Sequence, residues 1–402
     1  MTGLIGIAVL LGLGYCFSKD RKAISWRAVG GAFALQFVVG LVILFVPWGR
    51  TALKGVSQFV GAVIGAGQQG IEFVFGPAGD FSLGFFFAFN VLPVIIFFSS
   101  LIAVLYYLGV MTWIITLLGG MMSKLLGTSH AESLSATANV FVGQTEAPLV
   151  VRPYIAGMTS SELFAVMVGG LASIAGSVMA GYASMGVELN YLIAASFMSA
   201  PGGLLFAKLL LPETGKPARK VVLYKNQEEK PANVFDAAAQ GASSGLQLAL
   251  NVGAMLLAFI GLIAVMNLGF AEVGKWFDRE WSLEGLFGWV LAPVAWMIGV
   301  PWQEATQGGS LIGVKLIANE FIAFESLQGF DTAGHFSDRS HGIMTFALCG
   351  FANLSSIAIL LGGLGVMAPE RRAEIARLGL FAVYAATCSN LMSASIASLF
   401  LS

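Results

Sequence analysis

The sequence predicts an all-α polytopic membrane protein with eight transmembrane helices plus two re-entrant hairpins, arranged as inverted repeats with broken helices. Three observations carry that prediction. Of 402 residues, 57% are hydrophobic and only 11% are charged, against about 25% charged in an average soluble domain. Charge-free windows of spanning length recur along the chain. The basic residues divide unevenly between the loops that join those windows. A soluble fold of this size needs more polar surface to cover its core, and a formal net charge of -1 gives no footing for a nucleic-acid partner.

Residues 1–18 are apolar, lack a basic leader, and are followed by Lys19, Arg21 and Lys22. A secretory signal has the opposite order, so this stretch reads as a first spanning helix. A span needs roughly 20 apolar residues. The windows 28–49, 81–123, 163–187, 189–207, 237–271, 341–369 and 378–402 supply the other seven spans. The window 81–123 exceeds one crossing and predicts a long tilted helix plus a connector. Residues 51–75 are moderately apolar and read as an interfacial helix. Residues 212–236, rich in Pro, Lys and Glu, read as a cytoplasmic linker.

Two apolar stretches, 131–153 and 286–324, are interrupted by polar residues and proline and read as re-entrant hairpins. With the N-terminus outside, the inner loops then hold 15 of the 21 basic residues, including Lys124, Arg152 and Lys208. The outer side holds Arg50, Lys54, Lys275, Arg279, Lys315 and Arg339. That bias puts both termini on the outer face of a plasma membrane or, as periplasmic ends, of a bacterial inner membrane.

A weak repetition links the halves. Val-Gly-Gln-Thr-Glu-Ala-Pro at 142–148 and Gly-Leu-Ala-Ser-Ile-Ala at 170–175 answer to Gly-Val-Pro-Trp-Gln-Glu-Ala-Thr at 299–306 and Asn-Leu-Ser-Ser-Ile-Ala at 353–358. By the topology above the two hairpins enter from opposite faces, as in inverted-repeat secondary transporters. Irregular backbone survives at membrane depth only where it faces protein or a watery cavity.

A carboxylate at the bilayer centre costs ~2.5–3.5 kcal/mol, so Glu146, Glu304 and Glu320, all within apolar stretches, each need a reason. Glu146 and Glu304 are expected at hairpin tips, where binding a solute and capping a broken helix are both open. Glu320 is expected mid-helix, where no cap is needed, which favours function. Asn139, Gln144, Ser173, Asn353 and Ser356 gather at the two repeats, although inter-helix hydrogen bonding is the plainer use of such residues. No basic residue is expected in the site, which suits a neutral, hydroxyl-rich or heterocyclic solute over an anion. A Glu can accept both hydroxyls of a vicinal diol, as acidic residues do with ribose.

The competing class is an intramembrane enzyme. His130, His335 and His341 are the only histidines, all are expected in loops, and none forms His-Glu-x-x-His. Cys16, Cys349 and Cys388 lack metal-ligand spacing and read as small buried hydrophobes. The chain is therefore read as no enzyme.

Four segments resemble the concentrative nucleoside transporter family in its bacterial, eight-helix form. They are residues 139–153 (Asn-Val-Phe-Val-Gly-Gln-Thr-Glu-Ala-Pro-Leu-Val-Val-Arg-Pro), 161–167, 318–321 (Ala-Asn-Glu-Phe) and 348–358. The resemblance implies an inward-directed symporter of nucleosides such as uridine, cytidine and adenosine, working as a homotrimer in membrane lipid. It implies a scaffold around 1–125 and 237–271, transport repeats around 126–211 and 285–366, and a last helix over 378–402. By motif, Gln144, Thr145, Glu146 and Val178 would meet the nucleobase. Glu320, Phe351, Asn353 and Ser356 would meet the ribose. Na⁺ as coupling ion would fall on Asn139, Val142, Ser173 and Ile174. Because all four positions keep sodium-type residues, Na⁺ is favoured. A proton-coupled symporter, with a glutamate as carrier, and a hairpin transporter of another small polar solute are the alternatives.

Overall fold

The computed structural model describes residues 2–80, 82–217, 231–277 and 281–401, and among them every regular element is helical. The chain runs through α1 (Thr2–Cys16), α2 (Trp26–Leu44), α3 (Pro47–Phe75), α4 (Phe87–Asn90), α5 (Leu92–Tyr107), α6 (Val110–Leu126), α7 (His130–Ala138) and α8 (Arg152–Ile155). It continues through α9 (Ser160–Ala172), α10 (Gly176–Ser184), α11 (Leu189–Leu210), α12 (Val234–Lys275) and α13 (Leu283–Met297). It ends with α14 (Ala305–Ile317), α15 (Glu320–Thr332), α16 (Asp338–Leu348), α17 (Ser355–Met367) and α18 (Arg372–Ala397). Among the described residues six helical stretches, beginning at Trp26, Phe87, Ser160, Leu189, Val234 and Pro369, are long and apolar enough to cross a membrane. Shorter apolar helices are α1, α6, α13 and α17.

The helix starts follow local chemistry. Ser129 and Glu132 close a capping box at α7, and Thr159 and Glu162 close another at α9. Asn319 caps α15 by accepting Ile322 N–H at 3.1 Å. Two spans are broken in mid-course. The first stops at Ala172, runs extended through Ser173, and resumes at Gly176. The second stops at Leu348 and resumes at Ser355.

Small residues let helices approach closely where water offers no driving force. On α12 the buried positions Ala237, Gly241, Gly245 and Ala249 recur every four residues. A Cβ on Gly245 would come within 2.8 Å of the Ile96 Cα on α5. The rest of α12 is largely exposed, with Leu257 and Leu268 outward. By contrast α9, α11 and α18 are buried along most of their length and form the centre.

Several expectations change. The window 81–123 holds the short α4 followed by α5 and α6, the last two turned at Gly109, whose φ of 80° suits glycine. The second hairpin is displaced from its expected place. Residues 283–297 and 305–317 pack as one antiparallel pair, and the tight turn lies at Ala318–Asn319, between α14 and α15. Glu304 sits in the connection of the α13–α14 pair, just before α14 and away from the Ala318–Asn319 turn, and accepts bonds from Ser337 N–H and Oγ–H at 3.3 and 3.2 Å. Glu320 opens α15 and is not mid-helix. His130 begins α7 and His341 sits in α16, paired with Asp331, so only His335 lies in a loop. Cys16 is exposed, while Cys349 and Cys388 are buried. Lys315 and Lys208 are buried side chains and belong to no loop. Of the expected linker, residues 218–230 lie outside the described residues, as do 278–280 with Arg279.

Candidate functional site

The two hairpin turns and the two helix breaks meet in the middle of the molecule. Backbone bonds hold them together: Gly176 N–H donates to Phe141 O at 3.0 Å and Leu354 N–H to Leu316 O at 3.0 Å. Phe351 N–H donates to Ser173 O at 3.2 Å, joining one break to the other. Such bonds satisfy amides and carbonyls that a broken helix would otherwise leave bare. The repeat correspondence is thereby redrawn. The structural partner of the Gly143–Glu146 turn is the Ala318–Glu320 turn, and not the Trp-Gln-Glu segment before α14.

A cavity of about 840 Å³ opens at this junction. Gln144, Thr145, Glu146, Val178, Glu320, Phe351, Asn353 and Ser356 all line it, within the size range of small-molecule sites. Glu320 is held by two donors: Tyr182 Oη–H to Oε1 at 2.9 Å and Asn353 Nδ2–H to Oε2 at 2.9 Å. Asn353 also caps α17, its Oδ1 accepting Ser356 N–H at 2.9 Å. Gln144 Nε2–H reaches across to Ser356 Oγ at 3.3 Å, while its Oε1 is buried with no partner. Glu146 Oε2 accepts Gly143 N–H at 3.2 Å. Glu304 does not enter the cavity.

Asn139, Val142, Ser173 and Ile174 lie beside the cavity, buried between the first hairpin and the first break. Asn139 Nδ2–H donates to Ser135 O at 2.9 Å, but Asn139 Oδ1 and Ser135 Oγ have no partner. An unpaired buried oxygen is costly and needs a partner, a water or a cation.

Sequence reasoning missed five features. Arg152 lines the cavity at an exposed position, so the expectation of no basic residue there is corrected. Ser244, Gln247 and Asn251 form a polar stripe on α12 facing the same space; their i, i+3, i+7 spacing is a signal that a charge count passes over. Tyr182 carries no sequence signal beyond its type. Lys315 Nζ donates to Ala347 O and to Asn390 Oδ1, both at 2.8 Å. Asn390 Nδ2 in turn donates to Ala172 O at 2.7 Å and Cys349 O at 3.0 Å, tying both breaks to α18. A lone lysine in an apolar run, five residues before Glu320, was the available signal.

Comparison with known proteins agrees with this geometry. Family models match for the Na⁺ dependent nucleoside transporter C-terminus over residues 191–398 and N-terminus over 5–78, and for nucleoside recognition over 88–188. The nucleoside permease NupC of Helicobacter pylori is 49% identical, covering 100% of this chain and 98% of its own. Solute carrier family 28 member 3 of Rattus norvegicus is 41% identical over 99% of this chain, which spans 58% of that longer protein. A solved structure of CNTnw in an inward-facing substrate-bound state superposes with TM-score 0.96 at 55% identity, over 99% of this chain and 97% of that one. The chain belongs to the concentrative nucleoside transporter family, a family of multi-pass membrane transporters.

Proposed function

We propose that this chain imports nucleosides across a bacterial inner membrane as a Na⁺-coupled symporter. The observation that carries the reading is one cavity with two unlike polar ends. One end, on the first hairpin, offers the amide of Gln144 with Thr145 and Glu146, groups that match the mixed donors and acceptors of a nucleobase edge. The other offers Glu320, Asn353 and Ser356, suited to sugar hydroxyls. Val178 and Phe351 supply apolar walls between them. Two carboxylates, Glu146 and Glu320, line the cavity against one basic residue, Arg152, and that balance disfavours an anionic solute.

For the ion, the donor set fits a hard monovalent cation, which takes oxygen ligands. Asn139 Oδ1 is buried without a partner. With it, Ser173 Oγ and the carbonyls of Val142 and Ile174 would hold Na⁺. The bound ion would neutralise the negative end of the α9 dipole at Ala172 and brace the first hairpin against the first break, next to Gln144. That adjacency couples ion to solute. The orphaned amide oxygen favours Na⁺ over the proton alternative, in which Glu146 or Glu320 would carry the charge.

The helices α1 to α6 with α12 form the scaffold, and the two hairpins with their broken helices form the moving unit. The exposed apolar face of α12 is covered by lipid and by further copies in a homotrimer. Binding of tritiated uridine to purified protein tests the reading. Saturable binding in Na⁺ that is lost in choline, and competed by cytidine and adenosine but not aspartate, is the expected result. Ion-independent binding would remove the coupling, and aspartate competition would remove the substrate class.

A further inference from the structure

We infer that Tyr182 is a positioning residue for the sugar, fixing the Glu320 carboxylate in the plane that accepts a vicinal diol and so setting the preference for ribonucleosides over deoxynucleosides. The inference rests on the nucleoside reading above.

The geometry is direct. A carboxylate has about four acceptor sites, two on each oxygen. Tyr182 and Asn353 each donate to a different Glu320 oxygen, at 2.9 Å in both cases. Acceptor capacity therefore remains on both oxygens, and Glu320 itself lines the cavity. A diol can use both oxygens at once only if the carboxylate plane is fixed. A single donor would leave the group free to turn about that one bond; donors on both oxygens remove the rotation.

Tyr182 does not line the cavity. Its side chain is 0% exposed, and its ring lies between Phe321 and Phe324, with both centroid distances 4.6 Å. A phenylalanine would fill that aromatic seat equally well. What the hydroxyl adds is a buried donor with one partner, and a buried phenol O–H is expected to have such a partner. The two donors also come from different halves of the chain, Tyr182 from α10 and Asn353 from the second break. The carboxylate is thus aimed only when both broken helices are docked on the second hairpin.

The test compares uridine with 2′-deoxyuridine and 3′-deoxyuridine in proteoliposomes carrying wild type or Tyr182→Phe. The variant is expected to raise KM for uridine about tenfold, the loss expected for one hydrogen bond to a charged acceptor. Maximal rate and the KM values of both deoxynucleosides should change by less than about twofold, because the diol contact is already broken there. The ratio between ribo- and deoxynucleoside then collapses, which a packing defect would not do. Equal rises for all three substrates, or no change, would overturn the inference while leaving nucleoside transport in place. If Tyr182→Phe does not fold, Phe324→Leu carries the test. It loosens the ring seat but keeps the hydroxyl, and the same selective loss of uridine is expected, with a uniform loss counting against. A wild-type protein that binds none of the three overturns the nucleoside reading itself.

Discussion

Glu320 was legible as important because a carboxylate in an apolar run is expensive; its surroundings were not legible. It opens a helix and accepts hydrogen bonds from Tyr182 and Asn353, contacts that join residues 138 and 33 positions apart. No spacing rule reaches that far. Glu320→Gln and Asn353→Ala are expected to abolish uridine accumulation while leaving size-exclusion profiles unchanged; wild-type uptake in both would remove the sugar assignment. Lys315 shows the same limit from the other side. Counted as an outer-loop charge, it is a buried ammonium bonded to Ala347 O and Asn390 Oδ1. Hydrogen bonds to a charged group contribute roughly 1.5–3 kcal/mol. Lys315→Met is therefore expected to lower the thermal midpoint in detergent by several degrees, and an unchanged midpoint would contradict the role given to this junction.

Spans, breaks and hairpins differ in how far sequence specifies them. Uninterrupted apolar windows such as 189–207 map onto single helices because length and composition suffice there. The second hairpin did not follow: the sequence marked a turn at 301–304, whereas Ala318-Asn319, inside an apolar run, carried no breaker such as Gly or Pro. Which turn is tight depends on packing: α13 and α14 form one long pair, and the narrow reversal is left to Ala318–Asn319. Close approach makes glycine decisive at two junctions. A Cβ on Gly350 would lie 2.5 Å from Asn390 Oδ1 and 2.8 Å from Ala172 O. Gly350→Ala should thus push the breaks apart and cost about 1–3 kcal/mol, seen as a lower melting midpoint and lost uridine binding. Normal binding by that variant would show that the breaks tolerate separation. Gly245→Val should separate α12 from α5 and change the cavity wall carrying Gln247, raising KM without abolishing ion dependence.

At the scale of the whole molecule, the charge asymmetry that suggested topology survives the buried lysines. With Lys315 removed from the outer set and Lys208 from the inner, 14 inner basic residues face five outer ones, Arg50, Lys54, Lys275, Arg279 and Arg339, so the bias that predicts periplasmic termini is kept. Alkaline phosphatase fused at either terminus is expected to be active, and inactive fusions at either end would reverse that topology. Under the proposed function, two hairpin turns and two breaks around one cavity would let ion and solute bind a single unit that moves against α5 and α12. The most direct test of that account is uptake of radiolabelled uridine into proteoliposomes under imposed gradients. An inward Na⁺ gradient at equal pH should drive accumulation above the external concentration, and Asn139→Ala should abolish that drive. Accumulation driven by a proton gradient in choline, with Na⁺ irrelevant, would contradict it.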